Sequence, residues 1–293
     1  MRGILVLTRQ PDCYAVRRLV EAAAERGTGL TLLDPHQLEL ALGSAGAAAY
    51  LASHALDAES IAVLPRLGST ATEFSLAALD ILERMGVPSV NPSAALLAMR
   101  NKFTAQAALT SAGLPVPKSA MLRAPADLSR AISELGGYPV VLKFIRGSQG
   151  VGVIYAPDES VALSVQEAMN LIQYDVLLQR YYPDAAGRDL RVLVLGGQAR
   201  WCVRRVSRGG RFRSNFHRGG HAEAAQLVPA TAELAERATA VFGLGLAGVD
   251  LIEGEGGLLV MEVNSSPGIE TVETTHHVDV AGEIVEYTRE LGN

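Results

Sequence analysis

Apolar residues in this chain fall into short dense runs separated by helical stretches, an order that already suggests strands alternating with helices. The run GILVLT leads into YAVRRLVEAAAERG, where apolar positions recur every three or four residues, and then into TLLDP. Such an order predicts a β-α-β opening. IAVLPRLG predicts a further strand, EFSLAALDILERMG a helix, and PSVN a short extended piece, which together make an α/β unit over residues 1–97. SAALLAMRNKFTAQAALTSAG reads as a helical pair and LPVPKSAML as a Pro-rich entry into new structure. YPVVLKF, GVGVIYA and DVLLQRYY read as strands around a helix at DESVALSVQEAMNLI, giving a second unit over 98–182. The remainder, 183–293, mixes antiparallel strands (RDLRVLVLGGQARWCVRRV) with the helix TAELAERATAVFG. The fold class is α/β (α+β).

The last strands carry an anomaly. GVDLIE and LLVMEVN, separated by GEGG, predict a hairpin, and they place Asp250, Glu262 and Asn264 among apolar residues. Alternation puts Glu262 and Asn264 on one face, with Ile252 and Val260, while Leu259, Met261 and Val263 form the core face. A three-residue loop centred on Gly256 sets Asp250 opposite Glu262. Two carboxylates at cross-strand distance repel each other unless a cation or a proton lies between them. Two acids and an amide suit Mg²⁺, which takes few protein ligands and completes its octahedron with water and phosphate oxygens. A solvated acidic strand face is the plainer alternative.

Composition narrows the class. The chain has 293 residues, 48% of them hydrophobic, and no run long enough for a membrane span. A cytoplasmic protein is expected, and Cys13 and Cys202 lack metal or redox spacing. The net charge of -5 argues against nucleic acid as a partner. Charge is nevertheless uneven: residues 190–222 contain no acid but include Arg191, Arg200, Arg204, Arg205, Arg208, Arg211, Arg213 and Arg218. That segment predicts an anionic partner, although a solvated basic hairpin has the same composition. Only Lys102, Lys118 and Lys143 are lysines among 26 basic residues.

KFIRGSQGVGVI places Lys143 in a strand before a loop with Gly147, Ser148, Gln149, Gly150 and Gly152. Glycines let loop N–H groups approach phosphates. The loop runs into a strand rather than a helix, which excludes a Walker loop or a dinucleotide fingerprint.

Taken with RLVEAA, VLPRLG, MRNKF, FRSNFHRGG, AGVD and MEVNSSPGIE, this loop resembles the ATP-grasp superfamily of carboxylate–amine ligases, and within it the RimK-type ribosomal-protein glutamate ligases. The resemblance implies a pre-grasp domain followed by two subdomains that grip ATP, and an ADP-forming ligase. It implies that Lys102, Lys143 and the loop Gly147, Ser148, Gln149, Gly150 and Gly152 contact phosphates, and that Gln179, Arg180 and Tyr181 line adenine. Asp189, Arg213, Ser214 and Asn215 are implied to serve the nucleotide, and Asp250, Glu262 and Asn264 to hold two Mg²⁺ or Mn²⁺ ions. Arg205 and Arg213 are the candidates for catalysis; Arg205, His217, Arg218 and Ser266 are those for the substrate. Arg180 and Arg146 stand where the family commonly has acids. The implied partners are L-glutamate and an acidic acceptor, either a ribosomal-protein C-terminus or oligoglutamate, handled by a homo-oligomer. Two alternatives stay open: the same chemistry on a small-molecule, cofactor or carrier-protein acceptor, and a nucleotide-binding regulator without turnover.

Overall fold

In the computed structural model, which describes residues 3–44, 46–68, 71–123, 128–145, 152–172, 174–207 and 221–291, the chain opens with β1 (Gly3–Leu7), α1 (Tyr14–Glu25) and β2 (Leu30–Leu33). Strands β3 (Leu38–Gly43), β4 (Gly46–Leu51) and β5 (His54–Ala55) form a small antiparallel sheet of their own before β6 (Ile61–Pro65) and α2 (Glu73–Arg84). The main sheet of this unit has the order β2-β1-β6 and is parallel throughout. Its strands read as unbroken apolar runs because both faces are covered. Ile4 and Val6 meet Ala15, Leu19 and Ala22 of α1 on one side. Leu5, Leu7 and Val63 meet Leu76, Leu79 and Leu82 of α2 on the other.

The middle of the chain supplies α3 (Ser93–Ala98), α4 (Lys102–Ser111), β7 (Ser119–Leu122), α5 (Leu128–Leu135), β8 (Val140–Phe144), β9 (Val153–Ala156), α6 (Glu159–Leu171) and β10 (Val176–Arg180). The antiparallel sheet β7-β10-β8-β9 buries Val140, Leu142, Val176 and Leu178 against Leu128, Ile132 and Ala162. Alternation turns Ser119, Lys143 and Gln179 to the opposite face. Ala95, Leu109 and Leu114, on or next to α3 and α4, join the core of the following sheet instead.

That sheet comprises β11 (Arg188–Leu195), β12 (Gln198–Val206), β13 (His221–Ala224), β14 (Leu246–Gly254) and β15 (Gly257–Asn264), in the order β13-β12-β11-β14-β15; α7 (Pro229–Ala240) lies between β13 and β14, and α8 (Glu270–His276) and α9 (Val280–Glu290) close the chain. One face carries Val192, Val194, Cys202, Val249 and Leu251 against α4 and α7. The other face changes character along its strands. Its apolar end, Leu193, Leu195, Val203 and Leu246, packs with α1, α8 and α9, and beyond it Asp189, Arg191, Arg205, Asp250, Glu262 and Asn264 make the face polar.

The β14–β15 hairpin pairs Asp250 with Glu262, but not through a three-residue loop. Gly254 pairs with Gly257 across a two-residue turn, and the register then slips by one residue between Asp250 and Leu251. A two-residue turn alone would have set Met261 opposite Asp250. The slip leaves Met261 as the extra residue of a β-bulge, and a bulge resets the alternation of its strand. Val260, expected beside the acids, therefore lies fully buried in the core with Val263.

One buried side chain of the first unit is hydrogen-bonded directly into this sheet. Asn91, fully buried, donates through Nδ2 to the carbonyls of Leu246 (2.8 Å) and Ser265 (2.7 Å) and accepts from the Leu246 amide through Oδ1 (3.0 Å). It thereby ties together the start of β14 and the residue that follows β15. Asn91→Ala leaves three backbone groups without this partner, each costing on the order of 1–3 kcal/mol when buried. We expect a clear fall in the urea midpoint of unfolding; an unchanged midpoint would show that the clamp is dispensable.

Candidate active site

The polar half of the last sheet is built around Asp250. Arg191, directly opposite on β11, grips it with both ends of a fork: Nε to Oδ1 at 2.7 Å and Nη2 to Oδ2 at 2.8 Å. Arg205 on β12 holds Asp189 in the same manner, at 2.6 and 2.8 Å, and its Nη2 also lies 3.0 Å from Asp250 Oδ2. Asp189, Arg205 and Asp250 are each no more than 5% exposed. Burial alone would raise the Asp250 pKa, yet the two guanidinium groups outweigh it and hold the carboxyl down at about 2. Burial likewise opposes the charge on Arg205, and Asp250 and Asp189 overcome it, raising that pKa above the ordinary guanidinium value. Removing one member of such a buried pair typically costs about 3–5 kcal/mol because its partner is stranded. The network therefore fixes the Asp250 carboxylate in place.

Glu262 lies across the strand pair from Asp250 and is partly exposed. Lys102, the first residue of α4, pairs with it. The start of α4 is set by Asn101, whose Oδ1 accepts from the amides of Phe103 (2.9 Å) and Thr104 (3.3 Å), an N-cap of the usual kind. Asn264 donates through Nδ2 to the carbonyl of Gly248 at 3.3 Å, so its Oδ1 is the atom left to act as a ligand. Among the described residues no three His, Cys, Asp or Glu side chains converge into a metal cage. Two carboxylates and one amide oxygen fit Mg²⁺ better than a self-sufficient ion site, since Mg²⁺ keeps water and phosphate among its ligands.

Lys143 approaches from the middle sheet. Its Nζ donates to Gln179 Oε1 at 2.5 Å, and Gln179 Nε2 donates to Ser119 Oγ at 3.0 Å. Desolvation is the main influence on Lys143; the negative charge of Glu262 opposes it and the positive charge of Lys102 adds to it, and the pKa settles at about 8. Lys143 of the middle sheet thus lies within electrostatic reach of Glu262 and Asp250 on the last sheet and of Lys102 on α4. Next to the loop, a Cβ on Gly152 would fall 2.1 Å from the Phe144 ring, and Gly152 has φ +74°, so only glycine fits. Tyr181 stacks edge-on against Tyr155 at 5.0 Å. Arg180 pairs with Glu255 in the β14–β15 turn and lies 5.8 Å from the centre of the Tyr182 ring. The unexpected arginine of this strand thus has an acid supplied by the facing sheet. Ser266 Oγ accepts from the Gly68 amide at 3.2 Å.

Lys102, Lys143, Gln179, Asp189, Arg205, Asp250, Glu262 and Asn264 thus gather on the inner faces of two sheets or at their edge. Gly147, Ser148, Gln149, Gly150, Arg213, Ser214, Asn215, His217 and Arg218 lie outside the described residues, as does Arg146. Sequence reasoning counted Arg191 only as part of a basic segment. The alternation Asp189–Arg191–Leu193, which puts acid and base on one face of β11, was the signal that could have singled it out. Arg191 and Arg205 turn inward to acids, while Arg200 and Arg204 are exposed.

Comparison with known proteins identifies the family. Residues 1–96 match the RimK PreATP-grasp domain and residues 99–288 the RimK-like ATP-grasp domain. A protein of Ectopseudomonas mendocina named "Probable alpha-L-glutamate ligase" is 39% identical over 284 residues, covering 97% of this chain and 94% of its own. One of the same name from Rhodopirellula baltica is also 39% identical, over 97% of this chain and 70% of its own. The crystal structure of a RimK domain ATP-grasp protein from Sphaerobacter thermophilus superposes with a TM-score of 0.73 at 26% identity, covering 97% of this chain and 98% of the other. The ATP-grasp ligase PsnB in complex with its minimal precursor shares the fold, with a TM-score of 0.78 at 24% identity and 99% of each chain covered. With its pre-grasp unit and its two facing sheets, the chain belongs to the RimK-like ATP-grasp family.

Proposed function

We propose that this ATP-dependent ligase joins the amine of L-glutamate to a carboxyl group through an acyl phosphate, and that its acceptor is an acidic protein C-terminus, such as that of a ribosomal protein, or oligoglutamate. The observation that carries this reading is the placement of Lys143 on one sheet opposite Asp250, Glu262 and Asn264 on the other, in a chain whose relatives bear the name alpha-L-glutamate ligase. A carboxylate does not acylate an amine, because its leaving group would be oxide. In the proposed reaction an acceptor carboxylate oxygen attacks the γ-phosphorus of ATP and ADP departs. The glutamate nitrogen then attacks the acyl carbon, phosphate leaves with the C–O electron pair, and the amine gives up a proton.

Lys143 and Lys102 would offset charge on the transferred phosphoryl group. Gln179 keeps the Lys143 ammonium pointed into the cleft. Asp250, Glu262 and Asn264 would hold Mg²⁺ or Mn²⁺, which would supply positive charge against that of the phosphates. Arg191 and Arg205 act through Asp250 by fixing its carboxylate. Asp189, clasped by Arg205, lies beside the nucleotide in this reading, with Gln179 and Tyr181 along the adenine. The basic composition of residues 190–222 favours an acidic acceptor, although the exposed Arg204 shares the face of Cys202 and points away from Asp250.

Three outcomes test the reading. With Mg²⁺, glutamate and an acidic peptide acceptor, ATP should yield ADP and phosphate and the product should gain glutamyl mass; release of AMP and pyrophosphate would overturn the acyl-phosphate route. Glu262→Ala should lower kcat by on the order of a hundredfold or more with little loss of thermal stability, since its only described ion pair is partly exposed; normal Mg²⁺-dependent turnover would exclude Glu262 from the metal site. The third concerns protons. Lys143 is near half-protonated at pH 8 in the nucleotide-free protein, and phosphate favours its charged form. ATP binding at pH 8 should therefore take up about half a proton, seen by calorimetry in buffers of different ionisation enthalpy, and Lys143→Arg should abolish the uptake. Equal uptake by both proteins would remove Lys143 from the phosphates.

A further inference from the structure

The parallel sheet of the first unit has a feature that the nucleotide site does not use. Its order β2-β1-β6 reverses direction at β1: the chain leaves β1 for β2 on one side and returns as β6 on the other, with α1 and α2 on opposite faces. In open α/β sheets a crevice opens outside the carboxyl ends of the two strands at such a reversal, and ligands bind there. Arg66 is the first residue beyond the carboxyl end of β6. Its amide donates to the Leu7 carbonyl at 2.8 Å, so it stands beside the end of β1.

Among the described residues the Arg66 side chain is bound at one nitrogen only. Nη2 donates to the Pro267 carbonyl at 2.7 Å, whereas Nε and Nη1 are buried without a hydrogen-bond partner among the described residues. Native structures seldom leave buried donors unpaired, and a buried cation without a counter-ion is costlier still. Desolvation, opposed only in part by the nearby Cys13 thiol, brings this guanidinium down to about 10, and no carboxylate among the described residues pairs with it. The first turn of α1, which follows β1, adds positive character: its N-cap residue Cys13 offers no side-chain cap and the turn contains no acid. The end of β6 also adjoins the stretch that follows the last hairpin. Pro267 and Ser266, which hold Arg66 and Gly68, follow Asn264 by three and two residues.

We propose that Arg66 forms the floor of a carboxylate-binding subsite between the ends of β1 and β6, where a carboxylate of the incoming amino acid is held beside the metal strand. This rests on the ligase reading for the identity of the ligand, but not for the existence of an anion site. A dicarboxylic amino acid carries a carboxylate to spare after its amine is presented to the acyl carbon, and a buried guanidinium with two unpaired nitrogens is the group that recognises one. The same chemistry could be met by a carboxylate of the acceptor, which the kinetics distinguish.

Arg66→Met removes the charge and keeps much of the side chain's length and apolar stem. The test compares it with the parent protein in two ways: the KM values for glutamate, acceptor and ATP, and the shift in thermal midpoint on adding glutamate or glutarate without nucleotide. We expect the variant to be at least as stable as the parent without ligand, its KM for glutamate to rise on the order of tenfold or more with that for ATP unchanged, and the carboxylate-induced shift to vanish. A rise in the acceptor KM alone assigns the subsite to the acceptor and overturns the donor assignment. Glutamate-dependent turnover with every KM and the midpoint shift unchanged overturns the subsite and leaves the ligase reading standing. A parent protein that ignores glutamate, yet is stabilised by carboxylates through Arg66, loses the ligase reading and keeps the subsite. No stabilisation and no turnover in the parent overturns both. If Arg66→Met fails to fold, Arg66→Gln, which retains an amide donor for the Pro267 carbonyl, is judged by the same outcomes.

Discussion

The bidentate grip of Arg191 on Asp250, with Arg205 reaching the same carboxylate from the next strand, sets the terms for the site. A carboxylate this deeply buried would ordinarily take up a proton, and a neutral acid is a poor ligand for a hard cation. Two guanidinium groups keep it ionised without neutralising it chemically. With Asp250 itself they span three neighbouring strands, β12, β11 and β14, so the position of one oxygen pair is fixed by the register of those strands. With Lys102 on Glu262, the three acids Asp189, Asp250 and Glu262 face three cations in direct contact. Lys143 stands apart from this balance. It is bonded to a neutral amide, and desolvation holds its pKa at about 8, so a bound anion would favour its charged form.

Such an arrangement is possible because a single sheet face serves two purposes. Leu193, Leu195, Val203 and Leu246 bury one end of it under α1, α8 and α9, and the polar remainder is thereby carried on a rigid support. Side chains on strands anchored in this way keep their geometry better than side chains on loops, which suits a reaction whose catalysis is mostly positioning and electrostatics. The opposite wall is simpler: a four-stranded sheet with helices on its outer face and Lys143 and Gln179 on its inner one.

Much of this was legible in the order of residues. Parallel strands buried on both faces give continuous apolar runs, so β1, β6 and the helices between and after them stand out. The facing acids of the last hairpin were likewise visible, because charge inside an apolar run is improbable without a purpose. What could not be read was the bulge at Met261: glycine turns of two and three residues share the same letters, and the two acids meet only because a bulge compensates for the shorter turn. The small sheet β3-β4-β5 was invisible for another reason. Its residues are mostly alanine, leucine and glycine, with weak strand preference and no clear period of two, so tertiary contacts decide its conformation. The basic segment misled in part, since composition cannot tell an arginine turned toward an acid from one turned toward water.

The Asn91 clamp bears on how the molecule is divided as a machine rather than as a sequence. Asn91 to Leu246 and Ser265, Arg66 to Pro267 and Gly68 to Ser266 all join the first third of the chain to the last, and α3 and α4 pack their apolar residues under the last sheet. The segment between them in sequence is the one set apart in space. Opening and closing around a substrate would then be hinged at two chain crossings, near residues 115–118 and 181–187, with the four-stranded sheet as the moving jaw and the chain ends together forming the anvil. A molecule cut after residue 182 would lose half of its anvil, whereas removal of the jaw alone would leave the clamp's partners together.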